Sequence, residues 1–129
     1  MGARILIVED NRINQKVASG ILTRQGHRVA LAENGEKALA ALAEGDFDIV
    51  LMDCQMPVMD GFEATRRLRA SESVRNQRIQ VIATTANAMQ GDREECLAAG
   101  MNDYISKPIS DKEVREAIAR CRERATSES

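Results

Sequence analysis

Four apolar runs in this 129-residue chain each stop at polar residues that can act on a phosphate. Ile5-Leu6-Ile7-Val8 runs into Glu9 and Asp10, and Ile49-Val50-Leu51-Met52 runs into Asp53. Gln80-Val81-Ile82-Ala83 runs into Thr84 and Thr85, and Tyr104-Ile105-Ser106 runs into Lys107 and Pro108. If the runs are parallel strands, their carboxyl ends share one edge, where open α/β sheets bind ligands. Three carboxylates, a hydroxyl and an ammonium would then meet in one crevice. Such a set can hold a divalent cation and a phosphoryl group.

The chemistry of that set is constrained by charge. Carboxylates at close range raise one another's pKa, whereas a divalent cation favours their ionised forms. Mg²⁺ suits an all-oxygen cluster and keeps waters that a phosphate can replace; Mn²⁺ is an acceptable substitute. Lys107 adds a second counter-charge. An ion pair at roughly 4 Å and an effective dielectric near 20 is worth about 4 kcal/mol. A carboxylate such as Asp53 can attack phosphorus to give an aspartyl phosphate. That transfer needs mainly alignment and charge neutralisation.

The elements that would position these groups follow from apolar periodicity, which alternates between strand-like runs and helical spacing. After the first strand, Ile13, Val17 and Ile21, with Ala18 and Leu22, form one helical face that stops at Gly26. Arg28–Ala32 reads as a more polar strand nearer an edge. Ala38, Leu39 and Leu42 form a second helical face ended by Gly45, and Phe47–Met52 a strand covered on both sides. A third helix over Gly61–Ala70 turns Phe62 and Leu68 inward, and Ser71–Arg78 is a polar connection. A strand over Gln80–Thr84, a helix over Asn87–Ala99 and a short strand over Asp103–Ser106 follow. Ser110 and Glu113 have the spacing of a capping box opening a last helix with a Val114, Ile118, Cys121 stripe. Five βα units in succession imply a parallel sheet with helices on both faces and right-handed crossovers.

Composition limits the alternatives. The length suits one domain, taken as residues 1–124, with residues 125–129 a disordered polar tail. A formal net charge of −2, from 18 basic and 20 acidic residues, supplies no field for direct binding of nucleic acid or an anionic membrane. No apolar run approaches a membrane span, and Met1-Gly2-Ala3-Arg4 leads straight into a strand without a secretory signal. Cys54, Cys96 and Cys121 are odd in number and form no C-x-x-C pair, which favours a reducing cytoplasm. With His27 alone among histidines, zinc is a poor fit.

Val8-Glu9-Asp10-Asn11, Met52-Asp53-Cys54-Gln55-Met56-Pro57-Val58-Met59-Asp60-Gly61, Ala83-Thr84-Thr85-Ala86 and Ser106-Lys107-Pro108 resemble the signature of two-component receiver domains. The resemblance covers about residues 4–124. It implies a flavodoxin-like, CheY-like three-layer sandwich: a doubly wound five-stranded parallel sheet of order 2-1-3-4-5 with five helices. By the same resemblance Asp53 is the phosphoacceptor for a partner histidine. Glu9, Asp10, Asp53 and the backbone carbonyl of Gln55 bind Mg²⁺. Lys107 contacts the phosphoryl group, with a cis bond to Pro108. Thr85 and Tyr104 are the switch pair. Gln55, Ala86 and Asn87 tune access and phosphate lifetime.

The stretches Glu9–Val17, Thr85–Met89 and Cys96–Tyr104 are most similar to receivers of hybrid sensor histidine kinases, in a phosphorelay with a histidine kinase or histidine phosphotransfer protein. Such a domain has only weak self-phosphorylation and self-dephosphorylation of its own. If it is excised from a hybrid protein, the parent is a sensor histidine kinase, and the domain is the cytoplasmic part of a membrane-bound sensor. The face of the fourth helix, fifth strand and fifth helix is the expected partner surface and leaves room for a phosphorylation-dependent dimer.

Each residue also has a plainer reading. Asp53 could be a strand-end carboxylate, Thr85 a helix cap, Tyr104 a core aromatic and Lys107-Pro108 a turn. Gly61 reads as a helix-start requirement, His27 as a surface residue, the cysteines as small buried hydrophobes, and Arg66, Arg67 and Arg69 as a solvated face. A rival function is a Mg²⁺-dependent phosphatase or phosphotransferase working through an aspartyl phosphate. That enzyme usually needs an acid–base carboxylate just beyond its nucleophile, where this chain has Gln55. A third reading is an unphosphorylated interaction domain of the same fold, against which the intact acidic set argues.

Overall fold

The computed structural model describes residues 2–54, 59–71, 79–85, 90–107 and 109–128, without the side chains of 90–93 and 125–128. Strands and helices alternate: β1 (Arg4–Val8), α1 (Arg12–Arg24), β2 (Arg28–Ala32), α2 (Gly35–Glu44) and β3 (Ile49–Asp53). They continue as α3 (Gly61–Arg69), β4 (Gln80–Thr85), α4 (Gln90–Ala99), β5 (Asp103–Ser106) and α5 (Asp111–Glu128). All strand pairs are parallel, in the order β2-β1-β3-β4-β5. The chain winds one way from β1 to β2, then reverses across β3, so the β1/β3 junction is the switch point where a crevice opens.

Strand alternation divides the core in two. Leu6, Val8, Val50, Met52, Val81 and Ala83 face the layer with Ala38, Leu42, Ala64, Leu68 and Cys96. Ile5, Ile7, Ile49, Leu51, Ile82 and Ile105 face Ala18, Ile21, Leu22, Val114, Ile118 and Cys121. β1 and β3 are therefore apolar but for one end residue, and β4 is apolar across Val81, Ile82 and Ala83, as strands covered on both faces must be.

Side chains fix where the helices begin. Asn11, Asn34 and Asp60 accept hydrogen bonds from the backbone N–H groups of Asn14, Lys37 and Glu63. Ser110 Oγ accepts from the N–H of Glu113 at 3.3 Å, as the capping spacing requires. Gly26 and Gly100, at φ 90° and 102°, follow α1 and α4 in the left-handed region.

Some expectations change. Ala18, Ile21 and Leu22 are buried, but Ile13 is 72% and Val17 45% exposed. Both belong to the first half of α1, which leaves the sheet at its carboxyl edge with no layer to cover it there. Helical period alone does not say where the sheet ends. The expected polar tail from residue 125 is helical backbone through Glu128, because no glycine or proline intervenes to stop α5. The expected start of the fourth helix at Asn87 lies outside the described residues.

His27 is more than a surface residue: its Nδ1 accepts from the Ala3 N–H at 3.0 Å. Arg69 is not simply solvated either. It donates to Gly100 O and to Asn102 Oδ1, which also accepts from the N–H of Val81. Arg66 and Arg67 pair with Glu63 on the exposed surface as expected.

At the amino end of β5, Asp103 is nearly buried and bound by Arg120 at 2.7 Å and Arg124 at 3.3 Å. Burial works against its charge. The hydrogen bonds from Arg120, the Tyr104 backbone and Arg124 outweigh it and bring its pKa below 3.8. The unfolded chain therefore binds a proton before the folded one does, and the contribution is whole above the unfolded pKa and lost as pH falls through the folded one. Asp103→Asn should cost about 2 kcal/mol at neutral pH, since both guanidiniums are partly solvated. Urea denaturation at neutral and strongly acidic pH checks this, with the difference from wild type shrinking in acid.

Candidate functional site

The register places the ends of three strands side by side. Val8 pairs with Met52, and Asp53 with Thr84, so Glu9 and Asp53 leave adjacent strands at one level. The next strand over is tied by the N–H of Lys107 donating to Thr85 O at 2.7 Å. That bond sets the lysine facing the acidic strand ends.

Lys107 Nζ stands 3.0 Å from Asp53 Oδ1 and 3.4 Å from Glu9 Oε2. Oxygens of Glu9, Asp10 and Asp53 all lie within 4.8 Å of one another, Glu9 and Asp53 buried and Asp10 exposed. Desolvation raises the Glu9 pKa, and the nearby charge of Asp53 raises it further. Burial opposes the Lys107 charge, but its bonds and attraction to Asp53 and Glu9 prevail and hold its pKa above 10.5. One ammonium faces three carboxylates, a local excess of negative charge that a hard divalent cation on oxygen ligands would offset. The donor set fits Mg²⁺.

Glu9 is oriented by groups that the reading of chemistry-bearing residues did not single out. Its Oε1 accepts from the N–H of Asn11 at 3.2 Å and from Asn14 Nδ2 at 3.5 Å. Gln15 Nε2 donates to the Glu9 carbonyl at 2.6 Å. The start of α1 thus presents donors to one carboxylate oxygen while Lys107 faces the other. The sequence signal is the carboxamide run Asn11, Asn14, Gln15 directly behind the acidic pair.

Thr85 is buried and ends β4, beside Ser106 in register; Tyr104 pairs with Ala83. By strand alternation Thr85 lies on the same face as Ala83 and Tyr104, the face that carries α4. The structure therefore brings Glu9, Asp10, Asp53 and Lys107 together and sets Thr85 and Tyr104 as neighbours leading away from them. Gln55, Ala86, Asn87 and Pro108 lie outside the described residues. A cavity of about 100 Å³ adjoins the cluster, lined by Ile7, Val17, Ala18, Leu51, Thr84 and Ile109, with Glu9 and Lys107 in its wall.

An acidic crevice with an opposed lysine, at the switch point of a doubly wound parallel sheet, is suited to a divalent cation and a phosphoryl group. The family model of the response regulator receiver domain matches residues 5–119. The chain belongs to that family, whose members act in two-component phosphorelay signalling.

Among its relatives are Probable histidine kinase 4 of Oryza sativa subsp. japonica, 39% identical over 92% of this chain, and Histidine kinase 3 of Arabidopsis thaliana, 41% identical over 93%. The chain spans only 14% and 13% of the length of those proteins. The receiver domain of a sensor histidine kinase from Pseudomonas aeruginosa PAO1, solved with magnesium coordinated in its active-site cleft, is 47% identical. It superposes with a TM-score of 0.84, covering 93% of this chain and 97% of that one. The receiver of a Saccharomyces cerevisiae response regulator, crystallised with a histidine phosphotransfer signaling protein, is 30% identical. Its TM-score is 0.82, over 91% of this chain and 86% of that one.

Gly61 bears on the site through its missing side chain. A Cβ there would run into the carbonyl of Asp53, which ends the strand that carries the acidic group. At Gly20, inside α1, a Cβ would meet only Arg24 Nη1 at 3.5 Å. Gly61→Ala should destabilise the domain by about 1–3 kcal/mol, whereas Gly20→Ala should stabilise it by roughly 0.5–1 kcal/mol. Paired thermal or urea melts read the opposite signs; equal effects would mean Gly61 has no special role.

Proposed function

We propose that Asp53 accepts a phosphoryl group from a histidine of a partner protein, with Mg²⁺ bound by Glu9, Asp10, Asp53 and the Gln55 carbonyl. The observation that carries this is the convergence of Glu9 and Asp53 within 3.4 Å of the Lys107 nitrogen. The bound cation supplies neutralisation of the phosphoryl oxygens. Asp53, already ion-paired, attacks phosphorus through a carboxylate oxygen, and the partner imidazole leaves. Lys107 then exchanges its contact with the carboxylate for one with the phosphoryl oxygen. Gln55, Ala86 and Asn87 set access to the acyl phosphate and so its lifetime.

The output is a population shift. The phosphoryl oxygens draw in the Thr85 hydroxyl, and Tyr104 takes the space that Thr85 vacates. α4, β5 and α5 change shape together. The phosphate biases this equilibrium only by its different interaction with the two states. Full reversal from 1:99 to 99:1 takes about 5.5 kcal/mol.

The partner is a histidine kinase or a histidine phosphotransfer protein. Exposed Ile13 and Val17, on the half of α1 that follows Glu9 and Asp10, support docking of a helical partner over the acidic edge. Exposed Leu97 on α4 and half-buried Tyr104 on β5 give the opposite face its apolar contacts for output or for a phosphorylation-dependent dimer. The receiver unit spans residues 1–124 and works in the cytoplasm, as a part of a hybrid sensor kinase or beside one. Among the described residues no helix is long and apolar enough to cross a membrane. The domain's own chemistry is limited to slow self-phosphorylation and self-dephosphorylation.

Incubation with acetyl phosphate and Mg²⁺, followed by intact-mass measurement, tests the assignment. One phosphoryl addition is expected, lost in Asp53→Ala and on removal of the metal by chelation. Lys107→Ala should keep Mg²⁺ binding by calorimetry while the partner response to phosphorylation weakens. Rapid multiple turnover of varied phosphate esters would assign the site to a phosphatase. Absence of any adduct would leave an interaction domain.

A further inference from the structure

The residue directly after Asp53 touches α4 through sulfur. Cys54 Sγ lies 3.9 Å from Cys96 Sγ, across 42 residues of chain, and both side chains are almost fully buried. We infer that Cys54 and Cys96 are a reversible disulfide modification site, oxidised by a peroxide, that clamps α4 to the strand bearing Asp53. The consequence for signalling rests on the aspartyl-phosphate assignment; the clamp itself does not.

A disulfide needs sulfurs about 2 Å apart, so the gap must close by about as much again. Cys54 cannot supply much of that movement. Its N–H donates to Thr84 O at 3.0 Å and its carbonyl accepts from the Gly61 N–H at 3.3 Å. The movement therefore falls on Cys96 and the helix that carries it. Packing alone would be served equally by two small apolar groups; two thiols in contact can in addition be joined.

The chemistry balances with a peroxide as oxidant. One sulfur, as its thiolate, attacks a peroxide oxygen; the O–O bond breaks, hydroxide leaves as water, and a sulfenic acid remains. The second sulfur attacks the first, the S–O bond breaks and a second water departs. Two electrons have passed from the thiol pair to the peroxide, and a dithiol reductant returns them by exchange. Burial makes the reaction depend on brief local opening, through which a small uncharged oxidant passes. Disulfides in a reducing compartment are typically transient and redox-sensing.

Cys121 is the internal control. It lies in the other half of the core, and burial pushes its thiol up to about 11, so it should neither react nor exchange partners.

The test compares reduced and peroxide-treated wild-type protein, so no variant has to fold. Peptide mapping should find one Cys54–Cys96 crosslink, reversed by dithiothreitol. Amide hydrogen exchange in α4 should slow on the order of a hundredfold when the long loop is closed. Acetyl phosphate should then label Asp53 on the order of tenfold more slowly, because the clamp depletes the state that the phosphate favours. No crosslink, pairing with Cys121, or unchanged exchange in α4 would overturn the clamp. Equal labelling of crosslinked and reduced protein would overturn its regulatory consequence. If reduced protein takes no phosphoryl group, the aspartyl-phosphate assignment fails, while mapping and exchange still decide the clamp.

Discussion

The ammonium of Lys107, held between Asp53 and Glu9, is the interaction on which the rest of the molecule depends. At 3.0 Å and an effective dielectric near 20, its attraction to Asp53 is worth about 5 to 6 kcal/mol. Much of that is offset by the cost of taking both charges out of water. Without the lysine, two buried carboxylates would face each other across adjacent strands with only an exposed third beside them. Each strand end is therefore useful only because the sheet is parallel. An antiparallel neighbour would send its acidic or basic tip to the opposite edge.

That arrangement also fixes the charged groups in place. The donors around Glu9 come from the first turn of α1, whose start is fixed by its own Asn11 cap. The lysine is aimed by a backbone bond to the neighbouring strand end, and Asp53 by its place in the sheet. Charge preorganised in this way needs no rearrangement before a ligand binds. Tyr104 and Cys96 sit on one face of the sheet with Thr85, and α1 and α5 pack on the separate core of the other face.

The alternation of apolar runs and helical faces made the sheet and its layers legible, because strands buried on both sides are apolar without interruption. The acidic pair, Asp53 and Lys107 were legible for a related reason: each is the first ionisable residue after such a run. What escaped was whatever depends on where layers stop. Ile13 and Val17 fit the stripe of α1 yet lie beyond its cover. Arg69 belongs to a basic run, but its role comes from two carbonyl-type oxygens, on Gly100 and Asn102, brought to it by the fold. The contact between Cys54 and Cys96 likewise joins positions that no local spacing connects.

Arg124 near the far end of α5 bonds Gln80 and Asp103, which open their strands, and Ala3 at the other end of the chain sits beside His27 and Arg28. Arg124 and Ala3 thus both lie at the amino edge of the sheet, opposite the acidic rim. The edge that carries the amino ends of the strands is therefore the anchored side of the fold, and the opposite edge stays open above the carboxylates.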